Sequence, residues 1–234
     1  MQILTIPNTP VLLRSVRLFL QHAHEISYFF LNTDQVLTEI ISSQCQSSLF
    51  HSICLWGSIF SQEEDNDGYG PTDLAAEQTV QLERALATVY HMDSSTSSST
   101  DGSPMRYRMQ ALVLLCLYQL HQGNLIEART LLTSAQSLIQ SAGYHQLPTS
   151  QPGGDAEYME KVSAFWSVYS LCNIWSVVLG NIPLNSGFDT STDSDYDEHT
   201  RISTGWPVES IPQDPLYDGT SNSTTQVDGN SIFL

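Results

Sequence analysis

The chain has 234 residues, 41% of them hydrophobic, which is enough for a domain with an apolar core and excludes disorder throughout. It carries 25 acidic residues against eight basic ones, for a formal net charge of −17. Binding to nucleic acid needs clustered Lys and Arg, and the only close basic pairs are Arg14 with Arg17 and Arg106 with Arg108. We therefore expect no direct nucleic-acid contact by this chain.

The N-terminal part of the chain predicts two helices. Apolar residues recur every three or four positions from Val11 to about Leu31, which is the period of an amphipathic helix. A second helix is predicted from about Asp34 to Ser43. Asp34 is its predicted N-cap residue, because an aspartate side chain accepts a hydrogen bond from an early backbone amide of a helix.

Two more helices and two loops follow. A strongly apolar helix is predicted from about Leu49 to Phe60, and an acidic loop, Glu63–Pro71, separates it from an amphipathic helix over residues 72–92. The segment 93–104, "DSSTSSSTDGSP", has too little apolar surface to order itself. It is therefore predicted to be a flexible loop within the domain.

A helical hairpin is predicted next. Residues 111–120 are nearly all apolar, and Gly123 with Asn124 can form a tight turn because both tolerate left-handed backbone angles. The second helix repeats apolar residues in steps of three and four, a pattern suited to packing back on the first. Gly143 is the predicted C-terminal cap of this second helix, and Pro148 prevents its continuation.

The last predicted helix covers residues 161–179. The overlapping stretch Ala164–Leu184 has no formal charge over about the length that a bilayer requires. It also contains several Ser and Asn residues and ends with Gly180 and Pro183, so we favour a helix buried on all sides of a bundle over a membrane span.

Residues 185–234 differ from the rest of the chain. They hold nine acidic residues and one basic residue, with many Ser, Thr, Gly and Pro, and predict a loop-rich tail with local aromatic anchors at Phe188 and Trp206. No segment alternates at period two for long. The predicted fold class is therefore all-α: an irregular helical bundle over residues 11–184 with a long acidic, largely unstructured C-terminal tail over residues 185–234.

The sequence contains no constellation typical of catalysis or metal binding. His22 and His24 lie two positions apart on a predicted helix, so their side chains point to different faces and do not share a metal ion. We predict no catalytic, cofactor-binding or metal site, no cofactor, and no enzymatic activity. The cysteines form no C-x-x-C pair and are predicted to be reduced, buried thiols of an intracellular protein. They are Cys45, Cys54, Cys116 and Cys172.

Large aromatic residues leave two interpretations open. They can line a cavity for a small-molecule effector, or they can simply fill the core, which is the interpretation we favour. The residues concerned are Trp56, Phe165, Trp166 and Trp175.

Residues 109–148 and the helix that follows them resemble the middle homology region, a regulatory region, of fungal zinc-cluster transcription factors. The hairpin matches that region at Gln110, Ala111, Gly123, Ala135 and the closing "AGYH" of residues 142–145. The following helix, "SAFWSVYSLCNIWSVVLGNIP", matches at Phe165, Trp166, Tyr169, Leu171, Ser176, Leu179 and Gly180.

Three further stretches look like the mushroom-type members of the same family, so the resemblance covers roughly residues 15–210 in the family's order. They are "FLQHAHEISYFFLNT", "SSLFHSICLWGSIFS" and "ISTGWPVE".

The chain also departs from the family's pattern. Cys172 and Asn173 stand where the family usually has an acidic and a basic residue, and Ser163 stands where it has a basic one. The cysteine-rich zinc-cluster module of the family is not found here, and the chain ends where the family region continues. We therefore expect a fragment, a truncated product or a degenerate paralogue, in which residues 185–234 are an incomplete continuation of the domain.

The resemblance implies a regulatory domain that modulates transcription in the nucleus through other proteins of the transcription machinery or a small-molecule effector. DNA binding would then be supplied by a module that this chain lacks. For a fragment, a location in the cytoplasm is a further expectation. The alternative function is a helical protein-interaction scaffold without a transcriptional role.

Overall fold

The structure is a computed structural model, and it describes residues 10–26, 28–42, 45, 47–64, 71–91, 103–147, 156–179 and 202–205. Over these residues the chain forms α-helices and two short 3-10 turns, with no strand, so the predicted all-α class is confirmed. The helices are α1 (Pro10–His22), α2 (Thr33–Ile41), α3 (Ser47–Glu64), α4 (Pro71–His91), α5 (Ser103–His121), α6 (Leu125–Ser141) and α7 (Ala156–Leu179).

Helices α3 and α5 occupy the centre of the bundle. Helix α3 packs against α1, α4 and α5, and α5 packs in addition against α4, α6 and α7. Residues 111–116 of α5 are all fully buried, which no amphipathic helix could achieve. The nearly continuous apolar sequence of α5 is therefore explained by neighbours on every side.

The first predicted helix is too long, because α1 ends at His22 and not near Leu31. A 3-10 turn, Ala23–Glu25, follows it, and the described residues between this turn and α2 belong to no regular helix. Phe30 and Leu31 are nevertheless buried, so the apolar spacing correctly indicated burial while the backbone took another path. Polar side chains of α5 and α7 hold this connection, and tertiary contacts therefore override the helical periodicity.

The predicted N-cap residue of α2 was also wrong. Asn32, and not Asp34, is the N-cap residue, and its Oδ1 accepts hydrogen bonds from the backbone N–H groups of Asp34 and Gln35 at 3.0 and 3.1 Å. Asp34 instead lies in the first turn, where its negative charge faces the positive end of the helix dipole. Both residues suit a helix start, and the path of the preceding connection selects Asn32.

The predicted hairpin is confirmed as α5 and α6. Gly123 has φ of +76°, its N–H donates to Leu120 O, and the N–H of Asn124 donates to Gln119 O at 2.8 Å. This pair of hydrogen bonds is a Schellman motif, and it closes the end of α5. Gly143, with φ of +69°, ends α6 in the same left-handed region.

Helix α7 begins at Ala156, five residues before its predicted start, and ends at Leu179 as expected. It is not buried on all sides, because Ile174 and Val178 are 61% and 53% exposed. Among the described helices, none combines the length and the apolar character needed to cross a bilayer.

The predicted loops and tail lie largely beyond the described residues. Of the acidic loop Glu63–Pro71, the two glutamates belong to α3 and the proline begins α4, and residues 65–70 fall outside the described ranges. The predicted loop 93–104 contributes Ser103 and Pro104 to α5. Of the predicted tail 185–234, residues 202–205 are described, and the anchors at Phe188 and Trp206 fall outside.

Candidate functional site

A buried ion pair joins α5 to α7. The Arg106 Nη1 group donates to Glu160 Oε2, and both residues are less than a tenth exposed. Two charges taken out of water are tolerated only when they compensate each other, so this pair ties the two helices at a defined position. Sequence alone suggested Arg106 and Arg108 as a basic pair. The structure shows that Arg106 instead forms an ion pair with the buried carboxylate of Glu160.

Glu160 also holds the connection that precedes α2. Its second oxygen, Oε1, accepts a hydrogen bond from the backbone N–H of Asn32 at 3.1 Å. The same carboxylate therefore compensates Arg106 and satisfies a backbone donor that a helix start leaves without an intrahelical partner. A single side chain of α7 thus sets the position of α5 and the start of α2.

Gln110 performs a similar task from α5. It is fully buried, its Oε1 accepts from the backbone N–H of Phe30 at 2.9 Å, and its Nε2 donates to Tyr28 O at 3.3 Å. A glutamine can donate and accept at once, which matches an extended backbone segment. We call Arg106, Gln110 and Glu160, with the backbone of residues 28–32 that they bind, the polar junction.

The polar junction continues into α2 and the turn after α6. Tyr107 Oη donates to Glu39 Oε1 at 2.5 Å and so joins α5 to α2. Tyr144 is buried in the 3-10 turn Tyr144–Gln146, and burial raises the pKa of its phenol. Arg106 opposes this rise in pKa, while Glu157 and Glu160 add to it, which places Tyr144 within the electrostatic reach of the ion pair.

A four-residue segment, Ile202–Gly205, lies against this turn and against α7. Thr204 is 5% exposed, and its Oγ1 donates to Tyr144 O at 2.5 Å and accepts from the backbone N–H of Leu147 at 3.0 Å. Trp166 Nε1 of α7 donates to Gly205 O at 2.8 Å. We call Ile202–Gly205 the strap; sequence reasoning noted "ISTGWPVE" as a family stretch and did not foresee that Thr204 is the residue that anchors it.

The aromatic residues proposed to line a cavity lie in the helix interfaces. Phe165 is fully buried and contacts Trp166 and Tyr169, with ring centroids 5.0 and 5.7 Å apart. Trp56 packs against Phe60 and donates from Nε1 to the backbone of α5 at Leu114 O, 2.9 Å away. These contacts agree with the interpretation that aromatic residues fill the core.

His22 and His24, which the sequence did not favour as a metal site, lie in different elements. His22 is the last residue of α1 and stacks on Phe60, while His24 lies in the following 3-10 turn and is exposed. Among the described residues, no group of three or more His, Cys, Asp or Glu side chains could hold a metal ion.

All four cysteines are buried thiols, and none of them forms a disulfide. Burial raises the pKa of Cys45, Cys116 and Cys172 to about 12, with a smaller contribution from Glu39 at Cys45 and from Cys172 at Cys116, and it also raises the pKa of Cys54. We expect a thiol-specific disulfide reagent to react with the native chain at least roughly a thousandfold more slowly than with the denatured chain, because the thiolate is the reactive form. Fast labelling of any thiol without denaturant, followed by absorbance, would contradict this.

A second buried polar contact joins α3 to α4 and was not foreseen. His51 Nδ1 lies 2.7 Å from Gln81 Oε1, and Gln81 Nε2 donates to Glu77 Oε1 at 2.5 Å. Burial lowers the pKa of His51, and Arg84 acts in the same direction; the hydrogen bond to Gln81 and the charge of Glu77 oppose the shift. The signal available in the sequence was a polar residue, Gln81, on the apolar side that Ala85 and Val89 define.

The lowered pKa of His51 predicts a loss of stability in mild acid. A histidine whose pKa falls on folding binds its proton more tightly in the unfolded chain, so stability declines as the pH drops below the unfolded pKa, near 6.5. The expected slope is at most about 1.4 kcal/mol per pH unit. Urea unfolding of the wild type and of His51→Gln at a series of pH values tests this, since the variant should lose that part of the slope; parallel stability curves would contradict it.

The seven described helices form a bundle centred on α3 and α5, in which the buried polar junction ties α5 to α7. Residues 16–201 match the family model of the fungal specific transcription factor domain. The chain therefore belongs to that family, and the resemblance found in the sequence is confirmed. No curated protein and no solved structure matches the chain.

Family membership carries a coarse function. It gives the chain a role in the regulation of transcription, implies a nuclear location, and suggests interactions with proteins or effectors. The family is a transcription factor domain and is not known as an enzymatic one. The match spans α5 and α6, the predicted hairpin, and also α7; the side chains of the polar junction lie on α5 and α7.

Proposed function

We propose that this chain is a regulatory domain that modulates transcription through contacts with proteins of the transcription machinery or with a small-molecule effector. DNA binding, in this proposal, is supplied by a separate zinc-cluster module. The observation that carries the proposal is the family match over residues 16–201, which begins within α1 and includes α2 to α7.

Charge supports the assignment of DNA binding to another module. The net charge is −17, and binding to a phosphate backbone depends on Lys and Arg that release counterions. Of the two close basic pairs, Arg106–Arg108 loses its first member to Glu160 inside the bundle. The charge therefore favours action through protein or effector contacts over direct contact with DNA.

A reporter assay in fungal cells tests the proposed function. The full chain is fused to a heterologous DNA-binding module, and reporter output and the nuclear fraction of the fusion are measured. We expect nuclear accumulation and a change in reporter output relative to the DNA-binding module alone. A fusion that carries Gly57→Val is the control for folding and should lose the effect, because a Cβ atom at Gly57 in α3 would stand 1.9 Å from the backbone oxygen of Ser15 in α1.

A fusion that reaches the nucleus and leaves reporter output unchanged would overturn the transcriptional role. The same result, together with capture of defined proteins by the unfused chain in the cytoplasm, would favour the alternative function of an interaction scaffold. Loss of the reporter effect on addition or removal of one metabolite class from the growth medium would identify the effector branch of the proposal.

A further inference from the structure

The strap is far in sequence from the end of α7. Between Leu179 at the end of α7 and Ile202 at the start of the strap lie 22 residues. Ile202 packs against the edge of the core, Ser203 is exposed, and Thr204 is buried. The strap is therefore a short contact at the end of a long connection, and closing such a connection costs chain entropy.

The strap is held in the way that extended peptides are held by proteins. The backbone N–H groups of Ser203 and Thr204 both donate to His145 O, at 2.8 and 3.2 Å. Thr204 Oγ1 and Gly205 O form the remaining hydrogen bonds of the strap. In all, the strap bonds to two backbone carbonyls, one backbone amide and one indole N–H of the bundle. We call these groups, on Tyr144, His145, Leu147 and Trp166, the seat.

At one position the seat recognises a side chain of the strap through hydrogen bonds. Thr204 Oγ1 acts as donor and acceptor in the same place, toward Tyr144 O and Leu147 N. A hydroxyl can satisfy both groups, whereas a methyl group can satisfy neither. The other bonds of the strap involve its backbone alone, so the seat combines general backbone recognition with selection of a hydroxyl.

The helices do not need the strap for their own hydrogen bonds, which lie within α5, α6 and α7. Release of the strap breaks five hydrogen bonds and exposes one aliphatic side chain, that of Ile202. We propose that the strap leaves and rebinds its seat while the helices stay folded, and that the seat is a binding site for an extended peptide of the Ile-Ser-Thr-Gly type.

This inference goes beyond the proposed function and does not require it, since both tests below use the full chain in solution and no reporter. Its consequence is a switch. With the strap seated, the seat is occupied by this chain; with the strap released, the seat accepts a segment of another protein.

Native-state hydrogen exchange of the wild-type chain tests the release. Exchange is followed by mass spectrometry in a series of urea concentrations below the unfolding transition. The amides of Ser203, Thr204 and Leu147 should exchange at least about tenfold faster than those of residues 112–116 of α5, with little dependence on urea. If instead they exchange only with the global unfolding of α5, the strap is a permanent part of the fold and the proposal is wrong.

Two variants and three peptides test the seat. Thr204→Val should speed exchange at Ser203 and Leu147 and leave residues 112–116 unchanged, while the matched control Thr204→Ser should behave as the wild type. A fluorescent peptide of residues 199–208 should bind the Thr204→Val chain at least about tenfold more tightly than the wild type, because its competitor has been weakened.

Peptides that carry valine or phosphothreonine at the position of Thr204 should not bind. Valine cannot make the two hydrogen bonds, and a phosphate brings a bulky double negative charge to a position where Thr204 is 5% exposed. Equal binding of the valine peptide, or no binding of the threonine peptide to either chain, would overturn the assignment of the seat. If Thr204→Val unfolds the whole chain, as judged by circular dichroism, the strap is essential to the fold and the proposal is wrong.

Discussion

Replacement of Gly57 by alanine is expected to lower the free energy of unfolding by about 2 kcal/mol or more. Gly57 lies in α3 where α1 crosses it, and a Cβ atom built there would stand 1.9 Å from the backbone oxygen of Ser15. The obstacle is backbone and cannot rotate away, so α1 must move off α3 by more than about 1 Å. Alanine gains about 1 kcal/mol in helix propensity over glycine, and the clash must outweigh this gain.

Urea unfolding followed by the helical circular dichroism signal measures the effect, and Gly143→Ala and Ser15→Gly serve as controls. Gly143→Ala introduces a Cβ with nothing within 4 Å, so its cost is only that of the left-handed backbone, about 1 kcal/mol. Ser15→Gly should not rescue Gly57→Ala, because the clash involves the backbone of residue 15 and not its side chain. Wild-type stability of Gly57→Ala would show that α1 does not approach α3 so closely.

Gly57 also illustrates what the sequence could have indicated. A glycine inside an otherwise apolar helical pattern is costly, and a close approach of another backbone is a common reason for it. The helix around it and α5 were predicted from strongly apolar runs of helical length, and α4 and α6 were predicted from the spacing of their apolar residues. Helical periodicity depends on local neighbours, so a single chain reveals it.

The end of α1 shows where local patterns stop being sufficient. Residues 23–31 keep the apolar spacing of a helix, and Phe30 and Leu31 are buried as that spacing requires. The backbone nevertheless leaves the helix after His22, because Gln110 offers partners to Tyr28 and Phe30 from 80 or more positions away. No local rule contains that information, since the competing hydrogen bonds come from another part of the chain.

The polar junction and the strap were beyond sequence reasoning for the same reason. Arg106 and Glu160 are 54 positions apart, and Leu147 and Thr204 are 57 apart. Sequence showed Arg106 as half of a basic pair, Glu160 as one of many acidic residues, and Thr204 as part of a family stretch. Gln110, a polar residue inside a run of buried apolar ones, was the one visible signal that a buried hydrogen bond was required.

Glu160→Gln is expected to lower the free energy of unfolding by about 3 kcal/mol. The amide keeps the shape of the carboxylate and can still accept from the N–H of Asn32, so the change removes mainly the charge that compensates Arg106. Arg106 is 5% exposed and would remain as an uncompensated buried cation. Urea unfolding measures the loss.

Glu157→Gln is the matched control, because it makes the same change three residues earlier on the same helix. Glu157 bonds to Lys161 at 2.8 Å, and its side chain is 45% exposed, so solvent screens the pair and its loss should cost no more than about 0.5 kcal/mol. Equal costs for the two variants would mean that the Arg106–Glu160 pair is solvated in solution.

The double variant Arg106→Met/Glu160→Gln distinguishes the charge compensation of Arg106 by Glu160 from the hydrogen bond of Glu160 to the backbone of Asn32. With no cation left to compensate, a neutral glutamine costs little, so the double variant should be less destabilised than the sum of the two single variants by roughly 2 kcal/mol. The start of α2 should stay protected from hydrogen exchange in Glu160→Gln and in the double variant, since the amide oxygen can still hold the N–H of Asn32. Additive costs would show that the two side chains act independently, and the polar junction would then be three separate contacts and not one connected unit.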